Sequence, residues 1–188
     1  MAQYFQLTRD TQAPLNGQIT VLDYYKDNAT PIQLSATDSP AFMKVWINSN
    51  AIGTTSDAEI PSTWSTYSTT WTPNFSTDGT YYVHAIFMDE VNNESAIINS
   101  NATIFDKTAP VVSSVSIANS ADVIVNQTVI VRVSATDATP TSGIAKTTLS
   151  GDLAQDSDTE FLWSETDRTN GYKDCVIKLS ANTDPSHR

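Results

Sequence analysis

The sequence predicts an all-β protein built as two tandem antiparallel β-sandwich modules, and three observations carry that prediction. The first is a repeat: Asp10-Thr11-Gln12-Ala13-Pro14 returns as Asp106-Lys107-Thr108-Ala109-Pro110, and Gln33-Leu34-Ser35-Ala36-Thr37-Asp38 returns as Arg132-Val133-Ser134-Ala135-Thr136-Asp137. Trp71 also precedes Thr77-Asp78-Gly79 by the spacing that separates Trp163 from Thr169-Asn170-Gly171, which sets both tryptophans at one position of a common core. The second observation is a succession of short runs rich in β-branched and aromatic residues, each bounded by Asn, Asp, Gly, Pro or Ser. The third is that no segment keeps a helical period for three turns.

In chain order, residues 18–22, 32–36, 43–47 and 81–87 read as strands of the first module, followed by a hairpin and a final strand over 95–105. Residues 111–117, 129–135, 144–149 and 173–180 occupy matching places in the second. Period-two alternation puts Tyr81, Val83, Ala85 and Phe87 on one face, and Lys173, Cys175, Ile177 and Leu179 on the equivalent face of the second copy. These faces are the expected cores, and about seven short strands per module is the signature of a sandwich. The expected boundaries are an amino-terminal strand or arm over 1–9, a first domain over 10–105 and a second over 106–188, the last lacking its final strand.

Composition narrows the function. Of the 188 residues, 39% are hydrophobic and 16% charged, which suits a folded chain rather than a disordered one. A formal net charge of -11 opposes nucleic acid and anionic membrane surfaces at long range, and no run approaches the roughly 20 apolar residues of a membrane span. Cys175 is alone, so no intrachain disulfide is available. The start Met1-Ala2-Gln3-Tyr4-Phe5-Gln6 has neither the basic residues nor the apolar run of a secretory signal, which leaves either a leader removed beforehand or a protein that leaves the cell by another route.

The motifs that set the phase of the repeat resemble those of bacterial and phage immunoglobulin-like repeats, whose modules open with Asp-Thr-Thr-Ala-Pro and close with an Asp-x-Ala-Gly-Asn-x-Ser hairpin. Here the hairpin reads Asp89-Glu90-Val91-Asn92-Asn93-Glu94-Ser95, with Asn92 where the family has glycine. Asn still adopts a left-handed conformation at modest cost. The Met43-Lys44-Val45-Trp46 strand after the Ser-Ala-Thr-Asp turn is similar to modules in virion proteins of tailed bacteriophages. That resemblance implies an immunoglobulin-like fold and a phage structural protein on the virion surface, a capsid decoration, fibre or tail component. It also accounts for an absent signal, because virions assemble in the cytoplasm. The alternative is a bacterial cell-surface adhesin module or a carbohydrate-binding accessory segment of a larger secreted protein.

Two features suggest how such a protein assembles. Residues 4–9 lie where a preceding module's last strand would end, while the second copy stops soon after 173–180. Open sheet edges template pairing with other chains. The expectation is therefore strand donation through Tyr4, Phe5 and Leu7, or pairing at the edge beside Val176 and Lys178, with other virion proteins or further copies as partners. A fragment whose missing strand follows Arg188 is the other reading.

No nucleophile elbow, zinc motif, phosphate loop or dinucleotide fingerprint is present, so an enzyme and a cofactor are not expected. His84 alternates outward with Tyr82 and Ile86, and His187 sits in the terminal tail, both as solvated histidines; Cys175 reads as a small buried hydrophobe. Asp89, Asn92 and Glu94, with Glu90 and Asn93, gather oxygens as calcium does, yet Asp and Asn equally cap tight turns, the favoured reading here and at Asp38 and Asp137. Tyr24, Tyr25, Trp46 and Trp64 are candidates for core packing, protein contact or stacking on a host-surface glycan. Five Asn-x-Ser/Thr triplets, at Asn28, Asn74, Asn93, Asn101 and Asn126, are incidental in a chain this rich in those residues.

Overall fold

The computed structural model describes residues 9–117 and 127–180, and the chain divides into two compact units, Met1–Lys107 and Thr108–Arg188. Unit 1 contains β1 (Leu15–Thr20), β2 (Tyr24–Tyr25), β3 (Ile32–Thr37), β4 (Phe42–Asn48), β5 (Ser65–Thr66), β6 (Thr70–Trp71), β7 (Gly79–Met88), β8 (Ile98–Asn99) and β9 (Thr103–Phe105). One sheet runs β1-β3-β6 and the other β2-β9-β7-β4-β5, with β8 also paired to β7. The pairs are antiparallel except β2 with β9, where Tyr24 stands beside Ile104.

The core of unit 1 follows from the alternation. Val83, Ala85 and Phe87 of β7 are fully buried and meet Ile32 and Leu34 of β3, with Met43 and Val45 of β4 beside them. Phe75 stacks on Phe105 with ring centroids 5.1 Å apart and closes one end. Each of these side chains larger than Ala85 contributes roughly 1.5–3 kcal/mol when removed from water. The final strand of the module is broken into β8 and β9. Ser95 and Ser100 explain the breaks: their hydroxyls accept the backbone N–H groups of Phe87 and Val83, at 3.0 and 2.8 Å, in place of main-chain carbonyls.

The outward face of β4 and β7 departs from the sequence reading. His84 has no exposed surface, and Trp46 is 2% exposed. Alternation places both away from the sandwich core, as expected, but residues 49–64 fold back across that face. The solvated histidine of the sequence reading is therefore a buried one, because a long loop covers a face that period two alone assigns to solvent.

Unit 2 contains β10 (Val111–Ile117), β11 (Thr128–Thr136), β12 (Lys146–Thr148), β13 (Glu160–Leu162), the short helix α1 (Glu165–Asn170) and β14 (Tyr172–Lys178). Its sheets are β10-β11-β14 and the hairpin β12-β13. The helix is unforeseen but local: Ser164 and Asp167 form a reciprocal capping box, and Gly171, at φ 73°, ends it in the left-handed conformation.

Register overturns part of the sequence alignment of the two copies. In unit 1 Trp71 lies opposite Ile32; in unit 2 the residue opposite Val131, the counterpart of Ile32 in the repeat, is Cys175 rather than Trp163. Trp163 instead matches Tyr67, since each donates its backbone N–H to the residue just before a strand, Ala145 before β12 and Ala41 before β4. Trp163 is a core residue, 4% exposed, as expected, but of a different position. It follows that β14 corresponds to β6, not to β7. The described residues of unit 2 thus hold counterparts of β1, β3, β4, β5 and β6, and none of β7, β8 or β9. The spacing from tryptophan to Asp/Asn-Gly misled because a turn of helix in one copy and an irregular turn in the other happen to have equal length.

Candidate functional site

The most organised polar cluster lies on the outer face of β4 and β7. Asp57, in the covering loop, accepts the N–H of Thr54 and the indole N–H of Trp46, each at 3.0 Å, together with the Asn48 side-chain amide at 3.0 Å and the Thr54 hydroxyl at 2.9 Å. The Thr54 N–H, followed by Trp46, holds its carboxyl below the ordinary value against a smaller opposing effect of burial. His84 joins the same network through Asn48 and Asn99, and its ring lies 5.3 Å from that of Trp46. Gly53 lets the loop backbone approach: a Cβ there would stand 2.7 Å from Cγ of His84. These groups are committed to fastening residues 49–64 to the sheet, so they act as anchors and not as a reacting centre.

The fastened loop holds several side chains at the surface. Ile52 is 71% exposed at its tip. Trp64 at its end is half-buried and receives the Lys44 ammonium 4.8 Å from the ring centroid, a cation–π contact. Beside the loop a shallow cleft of about 500 Å³ is lined by Ser49, Asn50, Glu59, Asn74, Ser76 and Tyr81. Amides, hydroxyls, a carboxylate and one aromatic edge are the chemistry that meets a hydroxyl-rich ligand. Sequence reasoning missed this cleft, because its residues come from the 49–64 loop, the turn before β7 and β7 itself; only the local density of Asn and Ser hinted at it.

The four aromatic candidates separate cleanly. Tyr25 is 3% exposed in the core against Phe75, and its hydroxyl accepts the N–H of Leu22 at 3.2 Å, so it offers nothing to a glycan. Trp46 is withdrawn in the same way beneath the loop. Tyr24 is 49% exposed on β2, and Trp64 lines the surface already described.

The acidic hairpin is a turn built around Asp89. That carboxylate accepts the N–H groups of Val91 and Asn93 at 2.9 Å and the Asn93 side chain at 2.7 Å. Burial works against its ionised form, but these donors outweigh it and keep the group below its ordinary value. Asn92 takes φ 68°, and Glu94 forms a bridge with Met88. The oxygens of Asp89 are thereby directed into the turn, whereas Asn92 and Glu94 serve it through backbone. No cluster of three or more His, Cys, Asp or Glu suited to a metal occurs among the described residues.

At the β14 edge, Val176 is 53% exposed opposite Ile130, and Lys178 pairs with Asp156. The carbonyl of Lys178 accepts Ala154 N–H and the carbonyl of Asp152 accepts Ser180 N–H, so residues 152–157 already occupy the end of that edge. Tyr4, Phe5, Leu7 and His187 lie outside the described residues.

Residues 65–174 match the model of the bacterial Ig-like domain (group 3) family, a span from β5 of unit 1 into β14 of unit 2. No curated protein and no solved structure matches the chain.

Proposed function

The chain belongs to the bacterial Ig-like domain (group 3) family, and from that premise we propose that it works as a non-enzymatic surface or adhesion-type module, carried on the virion of a tailed bacteriophage. Domains of this family are typically non-catalytic. The observation that carries the reading is the fate of the titratable groups in unit 1. His84, Asp57 and Asp89 each spend their hydrogen bonds on holding a loop in place, and the loops display Ile52, Trp64 and the polar cleft to solvent. A stiff sandwich that spends its polar chemistry on presenting surface is suited to contact, not turnover.

The phage assignment is supported by the Asp10 to Pro14 and Asp106 to Pro110 motifs and by the Met43-Lys44-Val45-Trp46 strand. In that setting many copies on one particle compensate for weak contact by each. Immunogold labelling of purified particles and of host cells with an antibody to the chain tests it: gold on the particle surface is expected, and gold confined to the cell envelope replaces it with the bacterial adhesin reading. The polar cleft favours one second reading, a carbohydrate-contacting module. A glycan array separates it, with binding lost in a Glu59→Gln, Asn74→Ala variant if sugar is the ligand.

A further inference from the structure

In unit 2 three of the four apolar side chains of β10 turn one way, while Val111, opposite Thr136, faces the other. A bulge between Val112 and Ser114 resets the register so that Val112 faces Ala135, Val115 faces Val133 and Ile117 faces Val131. That is the core side of the sheet, where Ala135 and Val133 are 5% and 2% exposed and Cys175 of β14 is fully buried. Ser114 and Ser116 take the other side. Yet Val112, Val115 and Ile117 are 58%, 61% and 40% exposed. On this face of the sheet the bare area is confined to the β10 flank, since Val129, Val133, Ala135, Cys175 and Ile177 are buried.

Unit 1 shows what covers the same place. Ile19 of β1 lies opposite Leu34, as Val115 lies opposite Val133, its repeat counterpart, and β1 carries a bulge of its own between Leu15 and Gln18. There Ile19 packs on the core, and a Cβ added to Gly17 would stand 1.9 Å from Cδ1 of Ile98 and 3.1 Å from Phe87, so β8 and β7 close directly over that strand. Counterparts of those strands are missing among the described residues of unit 2. The outer edge of β10 also pairs with no strand among them.

We propose that this flank of β10 receives residues 1–8 of a second copy as an added strand. β-Strand addition at an open edge supplies main-chain hydrogen bonds, and alternate side chains of the incoming strand supply the cover. In Met-Ala-Gln-Tyr-Phe-Gln-Leu-Thr, period two sets Phe5 and Leu7 on one face, toward Val115 and its neighbours, and Tyr4, Gln6 and Thr8 on the other. Eight residues match the seven of β10 in length. The segment carries no charged side chain, so it approaches a chain of net charge -11 without side-chain repulsion. Residues 181–188 lack this pattern, with Ala181 as their one aliphatic side chain beside Pro185. The proposal goes beyond the surface-module reading and stands or falls apart from it.

The test uses the full chain with Cys175→Ala as background. Leu7→Cys and Val115→Cys variants, each checked for a native thermal transition, are mixed under mild oxidation and resolved without reductant. A disulfide-linked pair containing one of each chain is expected. In parallel, a fluorescent peptide of residues 1–9 is titrated into a chain lacking residues 2–8, with saturable binding that Val115→Asp weakens by at least about tenfold. Absence of either the mixed cross-link or the peptide binding overturns the proposal. So does a cross-link that forms only when both cysteines share one chain, or self-association that survives removal of residues 2–8.

Discussion

Nε2 of His84 stands 2.9 Å from Oδ1 of Asn48, an oxygen that also accepts the N–H of Asn50 at 2.9 Å. On the other side Nδ1 lies 2.8 Å from Oδ1 of Asn99, which accepts the N–H of Gly53 at 2.9 Å. Backbone donors thus fix both amide oxygens as acceptors, and one ring ties β4, β8 and the covering loop together. His84→Phe keeps the ring volume and deletes both contacts, leaving buried polar groups without their partner. The expected cost is about 2 kcal/mol or more in urea unfolding. Cleavage after the exposed Glu59 by a glutamate-specific protease accelerates, because the loop loses its anchor.

Asn92 is the hairpin's left-handed residue, at φ 68°. Asparagine tolerates that region better than branched residues and less well than glycine. Asn92→Gly is therefore expected to leave stability unchanged or raise it by about 0.5 kcal/mol, and Asn92→Val to lower it by about 1–2 kcal/mol. Thermal melts of the two variants against the parent measure both signs. Equal melting temperatures for Gly and Val would show that backbone strain at this position has no weight.

Much of this was legible because it is local. Alternation found the buried faces at Val83, Ala85 and Phe87, and the Asp/Asn pattern found the turn at Asp89. The fate of His84 was not legible, since period two says which way a side chain points and nothing about a loop that returns to cover it. The correspondence of β14 to β6 was hidden for a related reason: repeat spacing measures chain length, while strand identity is set by hydrogen-bonded neighbours. The bare flank of β10 follows only from the bulge that keeps Val112, Val115 and Ile117 on one side. The same limit applies to the polar cleft, whose residues meet only after folding.

Asp167 joins the capping box of α1 to Lys173, whose ammonium lies 2.8 Å away. Lys173, followed by the N–H and hydroxyl of Ser164, lowers its pKa from 3.8 to about 2. A carboxyl depressed in the folded state contributes stability that is complete above its unfolded value and disappears as pH falls through the folded one. Unit 2 is accordingly expected to lose stability between about pH 4 and pH 2. Asp167→Asn is less stable at neutral pH and flatter across that window. Urea titrations followed at the Gly171 and Tyr172 amide resonances give the comparison, and parallel pH profiles of the two proteins would remove Asp167 from the account.

Cys175 sits at the centre of the β11 and β14 sheet face with no exposed surface, opposite Val131. Burial pushes its thiol above the ordinary value, outweighing the nearby Lys173. Reaction with a disulfide reagent requires both access and the thiolate, and the folded unit withholds both. The native chain is expected to remain unmodified by Ellman's reagent over minutes and to react at one thiol per chain once unfolded. In intermediate denaturant the modification rate then reports the opening of unit 2 alone, since unit 1 contains no cysteine. Val133→Ala, which removes a neighbour on the same buried face, raises that rate without changing cleavage at Glu59 in unit 1. Immediate modification of the native protein would mean that the sheet face holding Cys175 is open to solvent.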